Sequence, residues 1–204
     1  MKPNVFADQF FDVFSADEIK LLTMALSKIK DQPNSGNSIK AYTNGFGPTD
    51  LIFPLIKEKV INKVESLIGR NINLYTGMML KESVPWEIHT DYIKGDQDPD
   101  LGILIPLNLE PVDTHTVLFN EPCLNSFQQY ISENTKLENN AKDLHNNLMS
   151  HETVDNLEYV SLAKIARWVP GSAICWDRKL LHASDNFISA GIQEKTALVL
   201  FTRH

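Results

Sequence analysis

The run Leu101-Gly102-Ile103-Leu104-Ile105-Pro106-Leu107 constrains the fold most. Strand side chains alternate between opposite faces, so a segment that is apolar at nearly every position needs an apolar partner on both sides. A strand sandwiched between two layers meets that need. The text before it reads as helix. Ser15-Ala16-Asp17-Glu18 is a capping box, and Ile19, Leu22, Met24, Leu26 and Ile29 carry an amphipathic run to about Lys30. Asp31 to Asn37 holds Pro, Gly, Ser and Asn and reads as loop. A second helix is expected from Thr49 or Asp50 to Leu67 or Ile68, with Leu55, Val60, Val64 and Leu67 on its apolar face and Gly69 as its stop. Strand text follows at Asn71 to Leu80, Glu87 to Tyr92, Leu101 to Leu107 and Thr114 to Asn120. Short strands that close on a chain-terminal strand suggest a two-sheet antiparallel barrel of the jelly-roll or cupin kind, with the helices outside one sheet.

Between Glu121 and Lys164 the text turns polar, and only Leu137, Ala141, Leu144 and Leu148 repeat on one helical face. The stretch is too long for a simple loop in a compact domain and reads as a helical insertion between strands. Two roles are open for it: a lid over a site, or a surface elaboration or oligomer contact.

At 204 residues the chain is expected to be one domain, residues 1–70 forming a helical support and residues 71–204 a β-barrel core with the insertion at 121–164. A net charge of −7 without a Lys/Arg stripe argues against affinity for duplex nucleic acid. Cys123 and Cys175 support neither a disulfide framework nor a structural zinc site, and Cys175 stands inside an apolar strand as a buried thiol. Neither a secretory leader nor an apolar run approaching the ~20 residues of a membrane span is visible, so a cytoplasmic location is expected.

Chemistry is carried by Ile88-His89-Thr90-Asp91-Tyr92 and, far downstream, by Leu181-His182-Ala183-Ser184. On extended backbone a His-x-Asp pair shares one face. Two imidazoles and one carboxylate can take one triangular face of an octahedral metal and leave the other positions open, which is the facial triad of non-haem Fe(II) oxygenases. Each residue alone has a plainer reading: a surface histidine, a solvated acid, a packed histidine at a strand end. Around His182 the order is Pro170-Gly171-Ser172, the apolar strand Ala173-Ile174-Cys175-Trp176, then His182, Gly191, Lys195 and a final strand to Arg203.

This order over residues 71–204 resembles the 2-oxoglutarate/Fe(II)-dependent dioxygenase superfamily. The resemblance implies a double-stranded β-helix with N-terminal helices. It also implies Fe(II) held by His89, Asp91 and His182, with 2-oxoglutarate and O2 as cosubstrates. Hydroxylation of a C–H bond would accompany formation of succinate and CO2. Asp91 matters here, because halogenating relatives have a small residue at that position to admit chloride. In the family a basic residue opening the last strand pairs with the distal carboxylate of 2-oxoglutarate, and Lys195 matches it, a few residues further from His182 than usual. Arg203 competes, since it lies on the same face by alternation and can bind a carboxylate bidentately. Tyr75 corresponds to a tyrosine that often hydrogen-bonds that carboxylate. Asn108 is a further candidate at a barrel rim, and His115 a candidate cavity residue, whereas His145 and His151 read as solvated and Trp176 as core. The substrate, a small molecule or a side chain, has no signature. Two other classes stay open: a metal-bearing cupin that does not use 2-oxoglutarate, and a non-catalytic ligand-binding barrel.

Overall fold

A computed structural model describes residues 6–29, 31–33, 40–43, 45–92 and 95–204. Ten strands make two antiparallel sheets among these residues. They are β1 (Ala7–Phe10), β2 (Asp31–Pro33), β3 (Lys40–Thr43), β4 (Asn73–Glu82), β5 (Pro99–Pro106), β6 (His115–Pro122), β7 (Leu162–Arg167), β8 (Ala173–Asp177), β9 (Leu180–Ser184) and β10 (Lys195–Arg203). The larger sheet has the order β1-β8-β5-β10-β4-β3-β2, and the smaller one β7-β6-β9.

The doubly apolar run is explained by what covers each face of β5. Leu101, Ile103 and Ile105 join the helix-side cluster with Leu198 and Leu200 of β10. Leu104 points the other way, into an apolar layer shared by the two sheets with Leu118, Ile174, Leu180 and Val199. Gly102 is required between them, because a Cβ there would lie 2.8 Å from the Trp176 indole.

Helix α1 (Ala16–Leu26) starts at the expected capping box: Ser15 Oγ accepts from the Glu18 N–H, and Glu18 accepts from the Ser15 N–H. It stops short of Lys30, at a Ser27 cap. The second helical stretch begins at Phe53, where Pro54 favours a first turn, and runs as α2 (Phe53–Ile56), a π-helical turn (Lys57–Ile61) and α3 (Asn62–Ile68). Gly69 ends it in the left-handed conformation, φ 71°. Ile19, Leu22, Leu26, Ile56, Val60 and Val64 bury this cover on the larger sheet. The loop expected at Asp31 to Asn37 is different: Asp31–Pro33 pairs with β3, and the rest of that stretch, residues 34–37, lies outside the described residues.

The smaller sheet has a helical cover of its own. Between β6 and β7 the insertion folds into α4 (Phe127–Glu133), α5 (Ala141–Asn147) and α6 (Val154–Leu157). Phe127, Ala141, Met149 and Leu157 pack with Val117 and Phe119 of β6, Leu181 and Ala183 of β9, and Ile88. The expected single helix from Leu137 is shorter, and Leu137 itself is exposed. No helix of the described residues is long and apolar enough to cross a membrane.

Candidate metal centre and its cavity

His89, Asp91 and His182 come together, each offering a ligand atom within 4.8 Å of the others. The route differs from the expected one. Residues 85–92 form no strand; His89 makes one isolated antiparallel bridge to His182, with N–H···O distances of 3.0 and 2.8 Å in the two directions. A loop needs other restraints to hold two ligands in register, and three residues supply them. Glu152 of the insertion, buried, accepts from the Ile88 N–H at 2.7 Å. Arg178, fully buried, donates to the Asp91 carbonyl at 2.9 Å. Thr90 Oγ1 donates to the Arg178 carbonyl at 2.9 Å.

The donor set fits a divalent metal. His89 Nδ1 lies 2.7 Å from the Glu87 carbonyl, and His182 Nδ1 lies 3.1 Å from that of Leu180. A Nδ1–H donated to a carbonyl places the imidazole lone pair on Nε2, the arrangement second-sphere carbonyls impose on metal-binding histidines. His182 Nε2 stands 3.4 Å from Asp91 Oδ2. Burial pulls the His182 imidazole down to about 4, against the Leu180 carbonyl, so the ring is neutral at pH 7. Burial likewise pushes the Asp91 carboxyl up, opposed by the charges of His89 and Arg178 and by the Trp176 indole N–H at 3.2 Å. A buried carboxylate beside the neutral His182 imidazole gathers lone pairs and negative potential at one point, which a cation relieves.

Two spaces meet at the triad. One is a cavity of about 390 Å³ between the sheets, lined by the triad, Met78, Leu80, Leu104, Val199 and Phe201, with Glu82, Thr116 and Ser184 also on its wall. The other is an open groove of about 710 Å³ between the triad loop and the insertion; Tyr92, Gln128, Gln129, His151 and Asn156 help to line it. His89 lines both.

The expected carboxylate anchors fall in different places. Lys195, fully buried, closes the cavity behind two of its lining residues: its Nζ is 3.5 Å from Glu82 Oε2 and 3.4 Å from Ser184 Oγ. Ser184 Oγ in turn donates to Glu82 at 3.0 Å. The ammonium also lies over the rings of Trp168, 4.2 Å, and Phe187, 4.8 Å. Phe187 belongs to the turn that lengthens the His182–Lys195 interval, so the extra residues fold back onto this cation.

Arg203 and Tyr75 are not on the cavity wall. Alternation along β10 fails at a register shift after Phe201, where the partners step from Thr76 to Leu74 and leave Tyr75 as the extra residue of a bulge. Arg203 stacks on the Tyr75 ring at 3.5 Å and pairs with Asp96 at 2.7 Å; Asp96 also pairs with Arg178 at 2.7 Å. That network braces the outer side of Asp91.

Other candidates also move. Asn108 accepts from the Trp168 indole and the Thr196 N–H, so it ties strands together. His115 pairs with Asp185 at 3.0 Å and does not line the cavity. His145 and His151 are half-buried, bonded to the carbonyls of Glu152 and Trp86. Trp176 is both core and cavity wall. Cys175 is the buried thiol expected, pushed by burial up to about 12. Sequence reading missed Glu82, Ser184, Arg178 and Glu152. Period two along β4 could have found Glu82, since Met78, Leu80 and Glu82 share the cavity face.

No family model matches the sequence, and no curated protein does. Solved structures do match in fold. An oxidoreductase of the 2OG-Fe(II) oxygenase family from Burkholderia pseudomallei aligns with a TM-score of 0.58 and 11% identity, over 97% of this chain and 85% of that one. A Pseudomonas putida prolyl-4-hydroxylase aligns at 0.54 and 9%, over 98% and 94%. HygX from Streptomyces hygroscopicus, with nickel and 2-oxoglutarate bound, aligns at 0.56 and 12%, over 98% and 83%. An α-ketoglutarate-dependent carbocyclase and an epimerase are also among the similar structures. The fold is therefore that of the 2OG-Fe(II) oxygenases.

Proposed function

We propose that this protein is an Fe(II)- and 2-oxoglutarate-dependent oxygenase, built as one double-stranded β-helix domain. The observation that carries this reading is the convergence of His89, Asp91 and His182 within 4.8 Å, with both Nδ1 atoms held by backbone carbonyls. Two imidazoles and a carboxylate on one side of a metal leave positions for a chelating 2-oxo acid and for O2. Fe(II) with 2-oxoglutarate and O2 would supply the oxidation of a C–H bond, with succinate and CO2 as coproducts.

The chain's own residues orient and enclose. Leu180 and Glu87 fix the imidazole tautomers, Trp176 holds one Asp91 oxygen, and Arg178 holds the Asp91 backbone. Leu104, Val199 and Phe201 keep water from the inter-sheet cavity. Lys195 is the cation suited to a distal carboxylate, and the groove beside the insertion gives a substrate carbon access to His89. Hydroxylation is the simplest outcome with Asp91 in place; the carbocyclase and epimerase among the similar structures mark the alternatives on this fold. The insertion's buried Glu152 and its apolar packing favour a fixed wall for this groove over a lid.

One observation favours a second reading, a metal enzyme of the same fold that does not use 2-oxoglutarate: Lys195 already holds a carboxylate of the chain. Turnover in air with Fe(II), ascorbate and 2-oxoglutarate separates the two. Succinate formed by the wild type and not by His182→Ala supports the proposal. Equal succinate from both sinks it.

A further inference from the structure

Glu82 is the polar group that the proposed chemistry does not use. It ends β4 directly opposite Lys195, the first residue of β10. Its side chain is almost fully buried and lies on the cavity wall with Asp91 and His182. It takes the Ser184 hydroxyl at 3.0 Å and faces the Lys195 ammonium at 3.5 Å. An ammonium and a hydroxyl at the closed end of a metal cavity are what the distal carboxylate of a dicarboxylic 2-oxo acid would need. Here a carboxylate from the chain already has both.

Formal charge points the same way. Asp91 and Glu82 bring carboxylates, Lys195 brings an ammonium, and His89 and His182 would hold a metal as neutral imidazole ligands. A divalent metal then leaves the cavity one positive charge. That matches a monoanionic 2-oxo acid and falls one charge short of a dianion, which is costly in an apolar space.

We propose that Glu82 sets the choice of cosubstrate, as a tethered carboxylate that competes with the distal carboxylate of 2-oxoglutarate for Lys195 and Ser184. The proposal rests on the oxygenase reading above. In the wild type the distal carboxylate gains little, because it must displace Glu82 or share its partners. Neutralising Glu82 opens the anchor.

The test compares two five-carbon 2-oxo acids that differ only at the distal end, 2-oxoglutarate and 2-oxopentanoate. Each is titrated calorimetrically into the Ni(II)-loaded full chain. The wild type is expected to bind the two within about threefold of each other. Glu82→Gln, which keeps the shape and the bond from Ser184, is expected to prefer 2-oxoglutarate by about tenfold or more, with 2-oxopentanoate unchanged. Glu82→Asp, whose carboxylate is withdrawn from Lys195, should shift in the same direction and serves if Glu82→Gln does not fold. A wild type that already prefers 2-oxoglutarate by about tenfold, or variants that keep the wild-type ratio, would overturn the proposal and leave the oxygenase reading standing. If neither acid binds any of these proteins while Ni(II) stays on the triad, the oxygenase reading falls, and this inference with it.

Discussion

The two ends of the inter-sheet cavity are built on opposite principles. At the triad end, acceptors converge: a carboxylate, and two imidazoles whose lone pairs are aimed by backbone carbonyls. At the other end, donors meet acceptors: an ammonium and a hydroxyl around the carboxylate of Glu82, under the rings of Trp168 and Phe187. The first arrangement is costly until a cation arrives and is therefore informative about a ligand. The second is internally balanced, so it stabilises the fold while hiding the anchor it contains. A buried ionic group identifies a binding site only when its partners within the chain are counted.

The comparison breaks most visibly if Lys195 is removed. Lys195→Ala leaves the Glu82 carboxylate buried without its cation, which is expected to cost about 3–5 kcal/mol of stability. Adding Glu82→Gln to that variant should recover much of the loss, as read by urea unfolding. No rescue would mean the pair is not balanced in the way described.

At the triad end the expected signature is acid sensitivity without metal. The His182 imidazole is held down at about 4 in the fold, against 6.5 when unfolded. Between these values the unfolded chain binds a proton that the folded one refuses, so stability falls as pH falls through that window. The His182 contribution comes to about 3 kcal/mol, partly offset by Asp91, whose raised carboxyl acts in the opposite sense. Unfolding free energies of the EDTA-treated protein from pH 7 to 4 should slope more steeply for the wild type than for His182→Gln. Parallel slopes would contradict the buried neutral imidazole.

Smaller effects sharpen the geometry of the triad loop. Arg178→Lys loses the fork that reaches both Asp96 and the Asp91 carbonyl, and Ni(II) affinity should drop by about ten- to a hundredfold. Unchanged affinity would show that Asp91 needs no brace. Glu152→Ala frees the Ile88 N–H from its buried acceptor and should cost about 1–2 kcal/mol. Thermal unfolding measures it, and hydrogen exchange at Ile88 should rise in the same variant. Slow exchange there would place the restraint elsewhere.

These contrasts also explain what the sequence could disclose. Leu101 to Leu107 announced a strand between two layers because its demand for partners is local and visible. The ligands were legible by residue type and order. Their path was not: His89 to Asp91 is a loop, and its alignment depends on Glu152 and Arg178, contacts across long separations that periodicity does not encode. The expected strand stops at Leu80, short of Glu82, and only pairing with Lys195 shows that Glu82 belongs to β4 and is buried. Arg203 and Lys195 looked equivalent by alternation until the bulge at Tyr75 separated them. The insertion's weak stripe understated its packing, because five of the eleven buried residues in that cluster belong to β6, β9 and Ile88.

The most direct measurement is an anaerobic absorbance titration of the full chain with Fe(II), followed by 2-oxoglutarate. Chelation of triad-bound iron is expected to produce a weak visible charge-transfer band that saturates with 2-oxoglutarate and is lost in His182→Ala and Asp91→Ala. A band that survives loss of His182, or iron that binds the wild type and gives no band at any 2-oxoglutarate concentration, would contradict the account.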